Sequence, residues 1–265
     1  VISAAGAAPL AAQTTSPFDP PPPGSSDARF LPRDGFSDQD GRRTMTAFPT
    51  NVGRGLVSVF RTNNLAPLLV GASLAGSGNF FDQGAQNAFG GKAEGFGRIG
   101  QRAGSLKVMV PFTVGLFAAG RASHDSRFRA ATYDMAEALV VNGIYTAGFK
   151  NAIKRERPDG SDRLSFPSGH TSSTFAMASV ANAHYGPKVG VPAFALASAI
   201  GLSRVERGKH NLSDVIAGAT IGLVVGRSVA HDNGVAPRGR ETRFALTPST
   251  DARGGGVGAG VALSW

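Results

Sequence analysis

Apolar and small residues come in blocks from Val52 onward, each block bounded by glycine, proline or charge. The stretch from Asn63 to Gly76 is apolar, and so is "LKVMVPFTVGLFAAG" (Leu106–Gly120). Between them "GGKAEGFGRIGQRAG" is glycine-rich and polar, which predicts a loop. The strongest helical pattern is "TYDMAEALVVNGIYTAGFKNAIKRERP", where Ala136, Leu139, Val140, Ile144, Ala147 and Ala152 fall near one stripe and Pro158 marks the end. A helix should start near Ser168, another should span roughly Val189 to Arg204, and "LSDVIAGATIGLVVGRSVA" should form the last. The pattern predicts an all-α core of about six helices between residues 51 and 230. No solenoid-length repeat is visible.

The two ends have a different character. Residues 1–12 look like the remnant of a secretory signal, which predicts export to the periplasm. Residues 13–50, including the run Pro20 to Pro23, lack apolar periodicity and read as a linker or strap. In the tail 231–265, "RFALTPST" and "GVGAGVALSW" flank "DARGGG" and predict a β-hairpin.

A membrane span needs about 20 mostly apolar residues, whereas the uninterrupted runs here are about 11 to 15 long. Mean hydropathy is −0.04. A soluble or peripherally attached helical domain is therefore expected, with an integral membrane enzyme as the alternative. The 27 basic and 18 acidic residues give a net charge of +9, which suits an anionic partner. Few aromatics interleave with the cations, so nucleic acid is not the expected one. The absence of cysteine excludes disulfides, thiolate metal sites and cysteine nucleophiles.

Three clusters carry chemistry. In "KNAIKRERP", Lys150 and Arg157 are seven apart, two turns along one face of a continuous helix. Together they can neutralise a dianion; a solvated basic helix end explains them equally when they stand alone. In "FPSGHTSSTF", Ser168 can cap a helix whose free N–H groups form an anion site, with Gly169 allowing close approach and His170 in the first turn. Its plain alternative is a serine cap with a bystander histidine. In "SRVERGKHNLSD", His210 and Asp214 are four apart across a helix start, and Arg204 ends the helix before. The carboxylate can accept the imidazole Nδ1–H and leave Nε2 free to attack. A surface His–Asp pair is the alternative.

Taken together the clusters read K-x6-R-P, then P-S-G-H, then S-R-x5-H-x3-D. This resembles, over Lys150 to Asp214, the three-part signature of the type 2 phosphatidic acid phosphatase (PAP2) superfamily, which includes bacterial class A acid phosphatases and vanadium haloperoxidases. The resemblance implies an all-α core and metal-independent hydrolysis of a phosphomonoester, lipid phosphate or pyrophosphate. It implies that His210 attacks phosphorus to form a phosphohistidine, that Asp214 orients it, and that His170 is the general acid. Lys150, Arg157, Ser168, Gly169 and Arg204 would hold the phosphate oxygens. No cofactor is implied, and vanadate should bind as a phosphate or transition-state mimic. A vanadium-dependent haloperoxidase and a non-catalytic cell-envelope protein are the competing readings.

Other features add little. His124, His184 and His231 lack carboxylates at helical spacing and read as surface or packing residues. Gly91-Lys92 is followed by Ala93, where a phosphate loop needs Ser or Thr. Asn211-Leu212-Ser213 is a formal glycosylation triplet, but a glycan there would obstruct the proposed site.

Overall fold

The computed structural model describes residues 41–235 and the backbone of residues 243–250 and 257–264. The expected leader remnant, most of the strap and the "DARGGG" segment lie outside the described residues. Among the described residues nine helices follow one another: α1 (Phe48–Ser58), α2 (Thr62–Ser77), α3 (Asn79–Phe89), α4 (Glu94–Ala103), α5 (Leu106–Ala122), α6 (Ser126–Ile153), α7 (Gly169–Tyr185), α8 (Pro187–Glu206) and α9 (Leu212–Asp232). Residues 41–235 contain no strand. Beyond them the backbones of Arg243–Thr250 and Val257–Ser264 pair antiparallel, Arg243 opposite Ser264.

About six helices are expected from the pattern, and the additional ones are the short α1, α3 and α4. The most instructive correction is α4, which occupies the stretch expected to be a loop. Glycine is a poor helix former in isolation, but here it serves close packing. A Cβ on Gly100 would collide with Ser203, and one on Gly97 with Glu206. Helix α4 lies with its backbone almost directly on α8, and tertiary contact outweighs propensity.

The centre of the bundle is α7, packed against α6, α8 and α9. Its register on α9 is set by Gly218, Gly222 and Gly226, a stripe at four-residue spacing. Cβ atoms there would collide with the carbonyls of Ser168, Ser172 and Ala176 respectively. The core beside this seam is small and β-branched: Ala138, Val141, Ala176, Val180, Val224, Val225 and Val229.

Helix α6 buries Tyr133, Ala138 and Val141 but otherwise departs from the rule for water-soluble proteins. Its apolar stripe faces outward, with Val140, Ile144, Phe149 and Ile153 all exposed. Its buried face carries Asp134, Glu137, Asn142 and Thr146. Asn142 donates to Ser172 Oγ at 3.1 Å and to Ser173 Oγ at 3.2 Å, which clasps α6 to α7. Asp134 accepts from Arg43 Nε at 2.8 Å and from His184 Nε2 at 2.7 Å, so His184 is a buried packing residue with a carboxylate partner from another helix. This polar knot lies about 24 Å along α6 from Lys150.

Helices α8 and α9 are long and apolar enough to cross a membrane, and α4 with α5 forms a bent pair, angled by 45°, that passes the same test. The shorter run lengths read from the sequence arise because serine, glycine and proline interrupt the apolar letters without ending the helices. Pro192, for instance, lies inside α8.

Candidate active site

The three motifs meet at one end of the bundle, where α6 and α8 finish and α7 and α9 begin. Helix α6 stops at Ile153, with Lys154 in the left-handed region (φ 50°) and its N–H bonded to Lys150 O. Lys150 and Arg157 therefore do not share a continuous helix, contrary to the spacing argument. They converge by another route: Lys150 Nζ donates to Leu164 O, and Arg157 Nη2 approaches the same carbonyl at 3.5 Å. The early stop frees Arg155 to turn inward, a residue the motif reading passes over.

Ser168 is fully buried and precedes the first residue of α7, but its hydroxyl does not cap the helix. It accepts instead from Thr171 Oγ1 at 2.9 Å, while Ser168 N–H donates to Asp214 O at 3.0 Å. That backbone bond ties the start of α7 to the start of α9. The first-turn N–H groups of α7 have no intrahelical acceptor. Gly169 sits beside Lys150, since a Cβ there would stand 3.9 Å from Lys150 Cε.

His210 precedes α9 rather than riding on it. Its own N–H donates to Arg204 O at 3.3 Å, and its carbonyl accepts from Gln86 Nε2 at 3.1 Å. Nδ1 faces Asp214 Oδ2 across 3.8 Å, and Nε2 lies 3.4 Å from Arg157 Nη1. Asp214 is the third residue of α9 and closes a capping box with Asn211. Its carboxylate accepts from Asn211 N at 2.8 Å, Ser165 Oγ at 2.5 Å and Arg155 Nη1 at 2.8 Å.

Arg204 is 4% exposed, and its Nε and Nη1 have no hydrogen-bond partner among the described residues. A buried guanidinium without an acceptor is costly. An anion arriving between Arg204, Arg157 and Lys150 would supply one. Arg157 is itself held by Asp162 at 2.6 Å and by Lys209 O at 3.0 Å, an arrangement that aims its fork at His210.

His170 Nε2 lies 3.2 Å from Gln101 O on α4. A carbonyl only accepts, so Nε2 carries the proton and Nδ1 is the free nitrogen. Burial, with the Arg204 charge second, lowers the His170 pKa to about 3. Burial likewise lowers His210 to about 4, opposed by Asp214 and reinforced by Lys150 and Arg157. Lys150 is lowered to about 8 by burial and by the nearby Arg157. Both imidazoles are therefore neutral near pH 7.

All the residues singled out by the motifs thus lie at this one end. The motif reading misses Arg155, Ser165, Asp82, Asp162 and Gln101. Arg155 and Ser165 adjoin motif residues and could have been weighed. Asp82 and Gln101 come from α3 and α4 and leave no local signal.

Comparison with known proteins agrees with the motif reading. The family model described as "PAP2 superfamily" matches residues 159–235. A lipid A 1-phosphatase from Porphyromonas gingivalis is 40% identical over 90 residues, which is 33% of this chain and 20% of that protein. The chain thus matches about a fifth of that relative's length. Among solved structures, Aquifex aeolicus LpxE aligns at 24% identity with a TM-score of 0.46, covering 56% of this chain and 90% of that one. A transmembrane PAP2-type phosphatidylglycerolphosphate phosphatase from Bacillus subtilis aligns at 19% identity with a TM-score of 0.45, covering 74% and 98%. The segment that holds His170, Arg204, His210 and Asp214 lies within the residues that match the PAP2 superfamily model.

Proposed function

We propose that the chain is a membrane-embedded phosphatase that removes phosphate from a lipid phosphate or pyrophosphate through a phosphohistidine on His210. The observation that carries the proposal is Arg204, a buried cation whose Nε and Nη1 have no acceptor among the described residues and whose charge acts on His170. The relative from P. gingivalis, described as acting on lipid A, supports a lipid substrate. So does an apolar cavity of about 440 Å³ lined by Leu68, Ala72, Phe149, Ile153, Phe166 and Ile221. Its wall includes Arg155, the residue that also grips Asp214.

The membrane assignment rests on the outward faces. Leu69 and Leu74 of α2, Phe112 and Val114 of α5, and Val191 and Leu196 of α8 are all exposed. With the exposed apolar stripe of α6, they form the apolar exterior that a bilayer favours. Helices α8 and α9 would cross it, with the site at one end of both.

In the first step the Nε2 lone pair of His210 attacks phosphorus, and the bond from phosphorus to the leaving oxygen breaks. Asp214 holds the Nδ1 proton of the resulting imidazolium-like phosphohistidine. His170, charged once the anionic group is bound nearby, gives its Nδ1 proton to the leaving oxygen, while Gln101 O keeps the opposite ring nitrogen in place. Water then attacks phosphorus, its proton returns to His170, the P–N bond breaks and inorganic phosphate departs. Lys150, Arg157, Arg204 and the α7 N–H groups hold the equatorial oxygens throughout, and phosphoryl transfer gains most from such fixed charge.

The deciding experiment is a substrate panel on the detergent-solubilised chain. It compares lipid phosphates and isoprenyl pyrophosphate with soluble phosphomonoesters, each with and without vanadate. Release of phosphate from lipids, blocked by vanadate, is expected. Halide oxidation that depends on vanadate would instead select the haloperoxidase reading.

A further inference from the structure

Asp82 lies on α3, outside all three motifs and outside the family-matched segment, yet it is wired to the site. Its Oδ2 accepts from Arg155 Nη2 at 2.8 Å and from Ser213 Oγ at 2.7 Å, and its Oδ1 accepts from Ser213 N at 2.9 Å. Arg155 passes the connection on, donating from Nη1 to Ser213 Oγ at 2.6 Å and to Asp214 Oδ1 at 2.8 Å. Asp82 and Asp214 are both buried. The order is carboxylate, guanidinium, carboxylate, imidazole.

We propose that Asp82 and Arg155 are positioning residues that fix the orientation and the effective charge of Asp214, and through it the readiness of His210 to attack phosphorus. The role assigned to His210 rests on the phosphohistidine reading above; the wiring does not. Arg155 draws electron density from Asp214 and so weakens the carboxylate's attraction for the Nδ1–H that faces it across 3.8 Å. Asp82 offsets that pull by sharing the guanidinium. The two residues therefore push His210 in opposite directions, which packing alone would not do.

The other groups facing His210 are accounted for. Lys150 approaches from α6, Arg157 from the loop after it and His170 from α7, while Arg204 at the end of α8 accepts the His210 N–H through its carbonyl. From α3, Gln86 touches the His210 carbonyl without charge. None of these is in the Asp82–Arg155 chain, so substitutions in the chain leave them in place.

The test is a ¹⁵N-imidazole NMR titration of His210 in the full chain in detergent, assigned against His210→Asn and run alongside kcat and KM. Arg155→Gln removes the pull and should raise the pH at which His210 titrates by about 1 unit. Asp82→Asn keeps the acceptor for Ser213 N, removes the counter-charge and should lower it by about half a unit. Arg155→Lys keeps the charge but loses the fork, so the titration should stay near wild type while kcat falls about tenfold at unchanged KM. If Arg155→Gln does not fold, the other two variants decide. Shifts of the same sign in Arg155→Gln and Asp82→Asn, or no shift in Asp82→Asn, would overturn the proposal. A wild-type chain that releases no phosphate from any lipid would sink the phosphatase reading, and the titration would still judge the wiring.

Discussion

His210 Nδ1 stands 3.8 Å from Asp214 Oδ2, too far for a hydrogen bond, although the carboxylate is held by three other donors. The carboxylate is fixed and the imidazole has slack. Such slack suits a nucleophile that gains positive charge only during attack, because the pair then tightens where stabilisation is needed.

Replacing His210 by alanine should remove turnover while leaving the fold. Its side chain approaches Arg157 at 3.4 Å and Asp214 at 3.8 Å, while Arg204 and Gln86 hold its backbone. An acid-quench experiment with labelled substrate should trap phosphate on the wild-type chain and none on His210→Ala. Wild-type rates in the variant would remove the mechanism.

His170→Ala should be most harmful with alkyl phosphates, whose leaving oxygen needs a proton, by about 10²–10⁴-fold in kcat. Aryl phosphates with acidic leaving groups should lose far less. Equal losses on both substrates would show that His170 donates no proton to the leaving group.

Lys150 should set an alkaline limit. Its pKa, lowered to about 8, makes it cationic below that pH and neutral above it. The free-enzyme parameter kcat/KM should therefore decline as pH rises through about 8. Lys150→Arg should move that decline upward, because arginine keeps its charge there. An unmoved decline would assign it to another group.

In the proposed mechanism the cations at the site take the place of a metal, so phosphate release should persist in excess chelator. Activity that disappears with chelator and returns with added divalent metal would contradict the site as described.

Gly100→Val should drive α4 away from Ser203 on α8, carrying the Gln101 carbonyl away from His170. We expect a loss of about 1–3 kcal/mol in stability, together with a fall in kcat. Thermal denaturation in detergent and steady-state kinetics would check both. A stable variant with unchanged kcat would show that Gln101 does not orient His170.

Much of the site was legible because its parts are short and rigidly spaced. His210 and Asp214 share one capping turn, and Ser168, Gly169 and His170 are consecutive. What escaped notice came from long-range packing. Asp82 and Gln101 reach the site from α3 and α4, and only the approach of Gly97 and Gly100 to α8 turns that glycine-rich stretch into a helix. The apolar stripe of α6 was correctly periodic, but periodicity does not say which solvent the stripe meets. Val140 and Ile144 face outward because the partner surface is lipid in our reading, and Asn142 faces inward because Ser172 and Ser173 await it.

The glycine seam of α9 has a consequence for how activity can be lost. Ser168 and Asp214 are aligned by backbone contact along Gly218, Gly222 and Gly226, with no side chains between to absorb an error. A slip of α7 along α9 by one residue would be about 1.5 Å, enough to part His170 and His210 from a shared phosphate while most helical hydrogen bonds survive. Catalysis should thus be a more sensitive gauge of correct insertion than helix content, with inactive but fully helical protein as the first product of misassembly.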